Sequence, residues 1–298
     1  MIPEATTDRG KMKELHVQAS CAKAWVTWAR AACAAECRAA CGGMGYMAAN
    51  RINKAMVDLD VDLTYEGDNT LLCQQTAAAL LADFQKRFKA ATGDLSGMLQ
   101  FLSQTLDLEL KSGKLSPVRR VQRSSRALGN LSFYVRAFEY REEHTVRELV
   151  SRVRQNRHLG QFGAWNACAD LHVKVAKAHA TRLALDAFVE QCTLHAGTPE
   201  GKMLRVLCSL FALCEMERDM GWFLTYHYFS ATKAKAISAE IMRLCRLLRP
   251  HTRALCDSFG VTQEELNAPI ASADYLQEFT YANSENHDVR RFPASLRR

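Results

Sequence analysis

The sequence predicts an all-α protein, and three observations support this. Apolar residues recur every three or four positions along most of the 298-residue chain, which is the spacing of one helix face. No stretch alternates polar and apolar residues for the length of a strand. The few prolines stand at the borders of the periodic segments, where a helix can begin or end. We therefore expect helices packed around a shared core.

The composition is that of an ordinary soluble globular protein, with 48% hydrophobic and 24% charged residues. No apolar run approaches the ~18 residues of a membrane span, and the first residues lack the basic and apolar regions of a secretory signal. The eleven cysteines lie within helical patterns. Their odd number, without a signal, favours reduced thiols in an intracellular compartment. The chain ends in Leu-Arg-Arg, which differs from the Ser-Lys-Leu peroxisomal address.

The first helix is predicted from an Ala-rich stripe with no proline inside it. The stripe consists of Leu15, Ala19, Ala22, Val26, Ala29 and Cys33. The helix ends at Gly42-Gly43, where the backbone can adopt positive φ. Cys33, Cys37 and Cys41 recur every four residues and would share one face. Because no CxxC motif or histidine completes a set of four ligands, we expect small buried side chains there and no metal site.

Residues 47–63 predict a short helix or an irregular connection that leads to Asp58, Asp60 and Asp62. Alternating aspartates can bind calcium, but the glycine and the distal glutamate of an EF-hand loop are out of place here. We therefore expect solvated loop carboxylates.

A second helix is predicted to begin near Asn69-Thr70 and to break at Thr92-Gly93-Asp94. Its buried stripe is Leu80, Phe84 and Phe88. Residues 94–130 are then expected to connect two domains, with a short helix around residues 98–108.

Positive charge is concentrated in residues 111–160, which carry twelve Lys and Arg against four Asp and Glu. Such an excess can bind nucleic acid or nucleotide phosphates, or it can be a solvated face. No aromatic residue interleaves the run from Arg119 to Arg126, as single-stranded nucleic acid would require. We therefore expect a solvated face and no nucleic-acid partner.

From Leu131 onward the pattern predicts a bundle of helices. The first two cover about 131–158 and about 164–192, and the second ends at Ala196-Gly197. The later boundaries are a cap at Thr198-Pro199, a helix end near Tyr228, a start at Ser230, a stop at Pro250, a short helix to Phe259-Gly260 and a loop-like tail from Pro269.

Glu66 is the acidic residue whose setting suggests chemistry, because it stands between Tyr65 and Gly67. Backbone could approach a bound group at the glycine while the aromatic ring covers the other side. Partial burial would raise the pKa of the carboxyl toward the range of a general base. A solvated glutamate at a helix N-terminus is the alternative. The competing candidates for the N-cap of the second helix are Asp68, Asn69 and Thr70.

The remaining candidates are interpreted as structural. Gly42-Gly43-x-Gly45 does not follow a strand, so it is expected to be a helix C-cap rather than a dinucleotide fingerprint. His172 and His179 are seven residues apart, whereas a metal-binding pair on a helix is usually four apart. The four tryptophans are expected in the core: Trp25, Trp28, Trp165 and Trp222.

Together, two of these motifs resemble the C-terminal region of the acyl-CoA dehydrogenase and oxidase superfamily. That family has Gly-Gly-x-Gly-Tyr/Phe, a spacer, and Tyr/Phe-Glu-Gly. Here Gly42–Tyr46 is followed, after a spacer of the typical length, by Tyr65-Glu66-Gly67. The variants Glu66–Thr70 and Glu36-Cys37-Arg38 are more similar to acyl-CoA oxidases. Segments that look like the oxidase C-terminal domain are Leu207–Leu213, Gly221–Phe223, Ala234–Ile237, Leu248–Pro250 and Ala268–Ala271.

The resemblance implies a division of the chain. Residues 1–93 would be part of the dehydrogenase-type four-helix bundle, with the catalytic glutamate. Residues 94–130 would be a connector, and residues 131–298 the oxidase C-terminal helical domain. The flavin-holding β-domain of the family is not in this sequence. We therefore expect a fragment, a truncated product or one chain of a split enzyme, which alone binds FAD weakly or not at all.

The resemblance also implies a reaction in fatty acid β-oxidation, carried out by a homodimer in the peroxisome or a related organelle. A glutamate removes the α-proton of an acyl-CoA, and the β-hydrogen leaves as hydride to FAD, giving a trans-2-enoyl-CoA. O₂ then reoxidises the flavin and yields H₂O₂. The implied residues are Glu66 as the catalytic base, Tyr65 and Gly67 at the substrate, and Gly42, Gly43, Asp68 and Thr70 at FAD, the two glycines facing the FAD of the neighbouring subunit.

Two positions depart from the family. Ala39 stands where dehydrogenases often have a glutamine that contacts FAD, and Val57 replaces the arginine of an Arg-Asp pair. Three other functions stay open. They are a dehydrogenase that passes electrons to a flavoprotein, a non-catalytic DNA-binding relative supported only by residues 111–160, and a helical dimerisation module. Residues 131–298 argue against the dehydrogenase.

Overall fold

The computed structural model describes residues 9–92, 128–272 and 274–277. Within these ranges every regular element is a helix and there is no strand, which confirms the all-α prediction. The α-helices are α1 (Arg9–Ala40), α2 (Ile52–Asp60), α3 (Asn69–Thr92), α4 (Leu131–Gln155), α5 (Gly160–Asn166), α6 (Ala169–Leu194), α7 (Pro199–Arg218), α8 (Met220–Thr225), α9 (Ala231–Leu248), α10 (Thr252–Asp257) and α11 (Gln263–Leu266). Short 3-10 turns occupy Gly42–Tyr46, Ala48–Asn50, Val61–Leu63, Arg157–Leu159, Arg249–His251 and Pro269–Ala271.

The chain forms two compact units, each built from two separate stretches. The helical unit comprises Met1–Ala22 and Thr70–Pro250, and the motif unit comprises Lys23–Asn69 and His251–Arg298. The division at residues 93 and 130 stays a prediction. Most of the predicted connector, including its short helix and its basic run, lies outside the described residues.

The helical unit is held together by two apolar clusters between its long helices. Helix α6 packs against α4 and α7, and α7 packs against α9. The larger cluster includes Tyr134, Phe138, Leu213, Phe223 and Ile237, none of which is exposed. The smaller one includes Ala77, Val146, Leu149, Leu171 and Val175. Since burial of one such large side chain stabilises a fold by roughly 1.5–3 kcal/mol, these clusters dominate the stability of the unit.

A buried polar network also crosses the helical unit. Arg141 on α4 bonds Asp219 at 2.5 Å and also contacts Thr181 on α6. The neighbouring Glu142 bonds His179 at 2.5 Å and pairs with Arg182. Burial by itself would raise the pKa of Glu142, but the His179 bond and the Arg182 charge outweigh it and lower that pKa. The network fixes the register of α4 on α6.

The caps predicted in the second half are confirmed. The Thr198 hydroxyl accepts from the Gly201 amide at 2.9 Å, and the Ser230 hydroxyl accepts from the Lys233 amide at 3.2 Å. Several predicted helices are shorter than expected. Helix α4 ends at Gln155. Breaks at Cys168 and at Asp219 separate α5 from α6 and α7 from α8.

Helix α1 is present as predicted, but the apolar stripe that predicted it is not the buried face. Leu15 and Val26 are 53% and 50% exposed, whereas Cys21 and Ala24 are 1% exposed. Small side chains occur on both faces of this Ala-rich helix, so apolar spacing alone does not identify the buried one. The expectation of buried cysteine side chains on α1 is also wrong for Cys33 and Cys37. Cys33 is nine residues from Ala24, about two and a half turns away on the opposite side, and it is exposed, as is Cys37.

Candidate functional site

The first predicted motif forms a tight 3-10 turn, Gly42–Tyr46, at the C-terminal end of α1. Gly42 has φ +59, which confirms the predicted positive φ at the helix end. A Cβ on Gly42 or Gly43 would meet no atom of the described residues within 4 Å, whereas a Cβ on Gly45 would lie 2.2 Å from the Arg38 carbonyl oxygen. Gly45 therefore lets the chain fold back onto α1, and the other two glycines leave open backbone surface.

Asn50 holds this turn in place. Its side chain is 2% exposed and donates from Nδ2 to the Met44 carbonyl at 2.8 Å. Its Oδ1 accepts from the Ile270 amide at 3.0 Å. Asn53 adds a bond from Nδ2 to the Tyr46 carbonyl at 2.7 Å. The glycine turn is thus tied to α2 and to the late Pro269–Ala271 turn of the same unit.

The second motif is a turn that presents Glu66. The chain leaves the Val61–Leu63 turn with a bond from the Tyr65 amide to the Val61 carbonyl at 2.9 Å. Glu66 then has φ +55 and Gly67 has φ +103. A left-handed conformation costs a residue with a Cβ about 1–2 kcal/mol, so the turn needs external support. Tyr65 is 50% exposed and Glu66 is exposed, so the expected partial burial of Glu66 is not seen among the described residues.

Helix α1 supplies that support. The Lys23 ammonium donates to the Gly67 carbonyl at 2.7 Å and to Asn69 Oδ1 at 2.8 Å. Asn69 is 1% exposed, and its Nδ2 donates to the Thr27 hydroxyl at 2.8 Å. The Asn69 side chain, predicted as a candidate helix cap, is therefore bonded to α1.

The expectation of solvated loop carboxylates is wrong for Asp62. This carboxylate pairs with Arg30 of α1 and is only 14% exposed, and Arg30 also donates to the Leu59 carbonyl at 3.4 Å. Asp58 and Asp60 are exposed as expected, but they lie in helix α2 rather than in a loop.

Among the predicted structural residues of the helical unit, His172 and His179 are buried, whereas Trp165 and Trp222 are half-buried. His172 is 1% exposed and stacks on Trp165 with ring centroids 3.8 Å apart. Neither ring nitrogen of His172 has a hydrogen-bond partner among the residues that the structure describes, and burial lowers its pKa. In the part of the chain that the structure describes, no group of three or more His, Cys, Asp and Glu could hold a metal ion. No helix there is both long enough and apolar enough to cross a membrane.

Six of the seven predicted site residues lie in the motif unit; Thr70 begins the long stretch of the helical unit. Sequence reasoning missed the residues whose side chains bond the backbone and side chains of these turns. They are Lys23, Thr27, Arg30 and Asn50. A signal was present for the first three, because they are polar side chains spaced four and three apart in an otherwise Ala-rich helix.

Comparison with known proteins adds two family matches. Residues 130–280 match the family described as acyl-CoA oxidase, and residues 3–81 match the acyl-CoA oxidase C-alpha1 domain. Acyl-coenzyme A oxidase 2, peroxisomal, of Arabidopsis thaliana is 31% identical over 92% of this chain and 40% of its own length. The chain thus spans about 40% of this relative.

Two solved structures share the fold. Arabidopsis thaliana acyl-CoA oxidase 1 aligns with a TM-score of 0.81 and 22% identity, over 94% of this chain and 42% of that one. Acyl-CoA oxidase-2 of Caenorhabditis elegans, bound with FAD, ascaroside-CoA and ATP, aligns with a TM-score of 0.74 and 21% identity, over 97% of this chain and 42% of that one.

Proposed function

The chain belongs to the acyl-CoA oxidase family, and on that premise we propose that it is the base-carrying part of an FAD-dependent acyl-CoA oxidase. The observation that carries the proposal is the Glu66 turn. In this turn Glu66 and Gly67 both have positive φ, and the Glu66 side chain is exposed. Lys23 of α1 holds the turn in place through the Gly67 carbonyl. A positioned carboxylate of this kind can act as a general base.

Glu66 takes the α-proton of a bound acyl-CoA thioester onto its carboxylate. Tyr65 and Gly67 flank it and line the substrate. The Gly67 carbonyl already accepts from Lys23, so this turn meets the thioester with a defined backbone orientation. The product is a trans-2-enoyl-CoA, within fatty acid β-oxidation.

The open backbone at Gly42 and Gly43, where a Cβ would meet no atom within 4 Å in the described part of the chain, fits the close approach of a flat cofactor. Asp68 and Thr70, beside the Glu66 turn, complete the residues that would hold FAD. FAD, when bound, supplies the acceptor for the β-hydride and the route of the electrons to O₂, which yields H₂O₂. The family resemblance supports a homodimer in which the glycines face the partner's flavin, and relatives described as peroxisomal support a peroxisomal location.

The test combines the full chain with the flavin-carrying part of an acyl-CoA oxidase and follows enoyl-CoA and H₂O₂ together. We expect equal amounts of the two products, and a loss of about 10²–10⁴-fold in kcat for Glu66→Gln. Asp60→Asn, an exposed carboxylate on α2, is the matched control and should change little. Activity retained by Glu66→Gln would contradict the assignment, and enoyl-CoA formation that needs an electron-accepting flavoprotein instead of O₂ would indicate a dehydrogenase.

A further inference from the structure

The Glu66 turn has a conformation that its own residues do not favour. Glu66 at φ +55 is one of four residues other than glycine with positive φ in the described ranges. A left-handed residue with a Cβ persists only where its surroundings hold it. The direction of the Glu66 side chain therefore depends on what fixes the backbone of the turn, including the Gly67–Asp68 peptide that follows the two left-handed residues.

The Lys23 ammonium bonds two groups in the segment that follows Glu66. It donates to the Gly67 carbonyl at 2.7 Å and to Asn69 Oδ1 at 2.8 Å. Hydrogen bonds from a charged donor are shorter and stronger than neutral ones. Because Lys23 lies on a 32-residue helix, its position is independent of the turn.

A second bond orients the acceptor. Asn69 Nδ2 donates to the Thr27 hydroxyl at 2.8 Å, and that hydroxyl donates to the Lys23 carbonyl at 2.9 Å. Lys23, Asn69 and Thr27 therefore form a closed ring of hydrogen bonds between one turn of α1 and the start of α3. With Asn69 only 1% exposed, water competes little for these bonds.

We propose that Lys23 is a positioning residue for Glu66, acting through the Gly67 carbonyl, with Thr27 and Asn69 holding the ammonium in place. The inference rests on the proposed role of Glu66 as the base. A purely structural lysine would only fasten α1 to α3. A positioning lysine also sets the conformation of the turn and the rate of proton removal.

The first test needs no cofactor. An endoproteinase that cleaves after glutamate is applied to the native full chain, and the fragment that ends at Glu66 is followed by mass spectrometry. In Lys23→Met we expect cleavage there to be about 10 to 100 times faster, since loss of a charge-assisted hydrogen bond changes a local opening equilibrium by that factor. Lys23→Arg should restore protection, and Thr27→Val should give an intermediate rate.

Lys54→Met is the matched control, because it removes an exposed lysine of the same unit. It should leave cleavage after Glu66 unchanged. If Lys23→Met is cleaved there at the wild-type rate, Lys23 does not hold the turn. The same conclusion follows if Lys23→Met accelerates cleavage after Glu66 no more than cleavage at glutamates in the helical unit. The milder Thr27→Val keeps the test informative if Lys23→Met fails to fold.

The second test uses the chain joined with the flavin-carrying part, with rates normalised to bound flavin. Lys23→Met should lower kcat about tenfold with KM unchanged, and Lys23→Arg should recover most of the loss. If Glu66→Gln keeps its activity, the proposed function fails. If Glu66→Gln is inactive while Lys23→Met keeps the wild-type kcat, only the positioning role fails.

Discussion

Three glycines of one motif should respond differently to alanine, because the backbone makes a different demand at each. Gly45→Ala places a Cβ 2.2 Å from the Arg38 carbonyl oxygen and 3.0 Å from the Cys41 Cβ. A backbone oxygen cannot move away cheaply, so the turn must open, at a cost of about 1–3 kcal/mol for the overpacking. Opening it also endangers the bond from Asn50 to the Met44 carbonyl, about 1 kcal/mol more. We expect a total near 3 kcal/mol.

The two neighbouring glycines are the controls. Gly42→Ala meets no atom of the described ranges within 4 Å but has φ +59, so we expect a loss of about 1 kcal/mol from the left-handed backbone alone. Gly43→Ala has neither problem, and it should be neutral or stabilising by up to about 1 kcal/mol through the unfolded chain.

Urea unfolding followed by circular dichroism measures the global effect, and hydrogen exchange of residues 42–53 measures the local one. The expected order of destabilisation is Gly45→Ala, then Gly42→Ala, then Gly43→Ala. If Gly43→Ala destabilises the chain as much as Gly45→Ala, the steric argument is refuted. In the flavin-loaded oxidase Gly43→Ala has a second use, because a stable protein with weakened FAD binding would support the proposed cofactor contact.

Two buried basic side chains should make folding stability depend on pH. Lys233 is fully buried, and burial lowers its pKa to about 8. Stability should therefore rise between pH 8 and the unfolded value near 10.5, and Lys233→Met should remove this slope in urea titrations. Burial also lowers the pKa of His172, so stability should fall as the pH drops below about 6.5, where the unfolded histidine binds its proton first. Thermal melts of His172→Phe should lose part of this acid sensitivity, while the exposed control His158→Gln should keep it; equal slopes in both variants would contradict this origin.

Sequence alone predicted the features that depend on neighbours along the chain. The helices, the Thr198 and Ser230 caps and the positive φ at Gly42 all arise from hydrogen bonds that span four residues or fewer. The spacing between the Gly42–Tyr46 motif and Tyr65-Glu66-Gly67 was also visible, because the distance along the chain between two short motifs is a property of the sequence itself.

Only the tertiary structure decided which face of α1 is buried and what that face does. Lys23, Thr27 and Arg30 looked like ordinary polar positions, yet each bonds a residue about thirty to forty-six positions away. A uniform Ala-rich helix has little difference in apolarity between its faces. The long-range hydrogen bonds and ion pairs therefore determine which face of α1 packs against the rest of the chain. They arise only once the chain has folded, and those of Lys23 and Thr27 fasten Gly67 and Asn69, directly after Glu66.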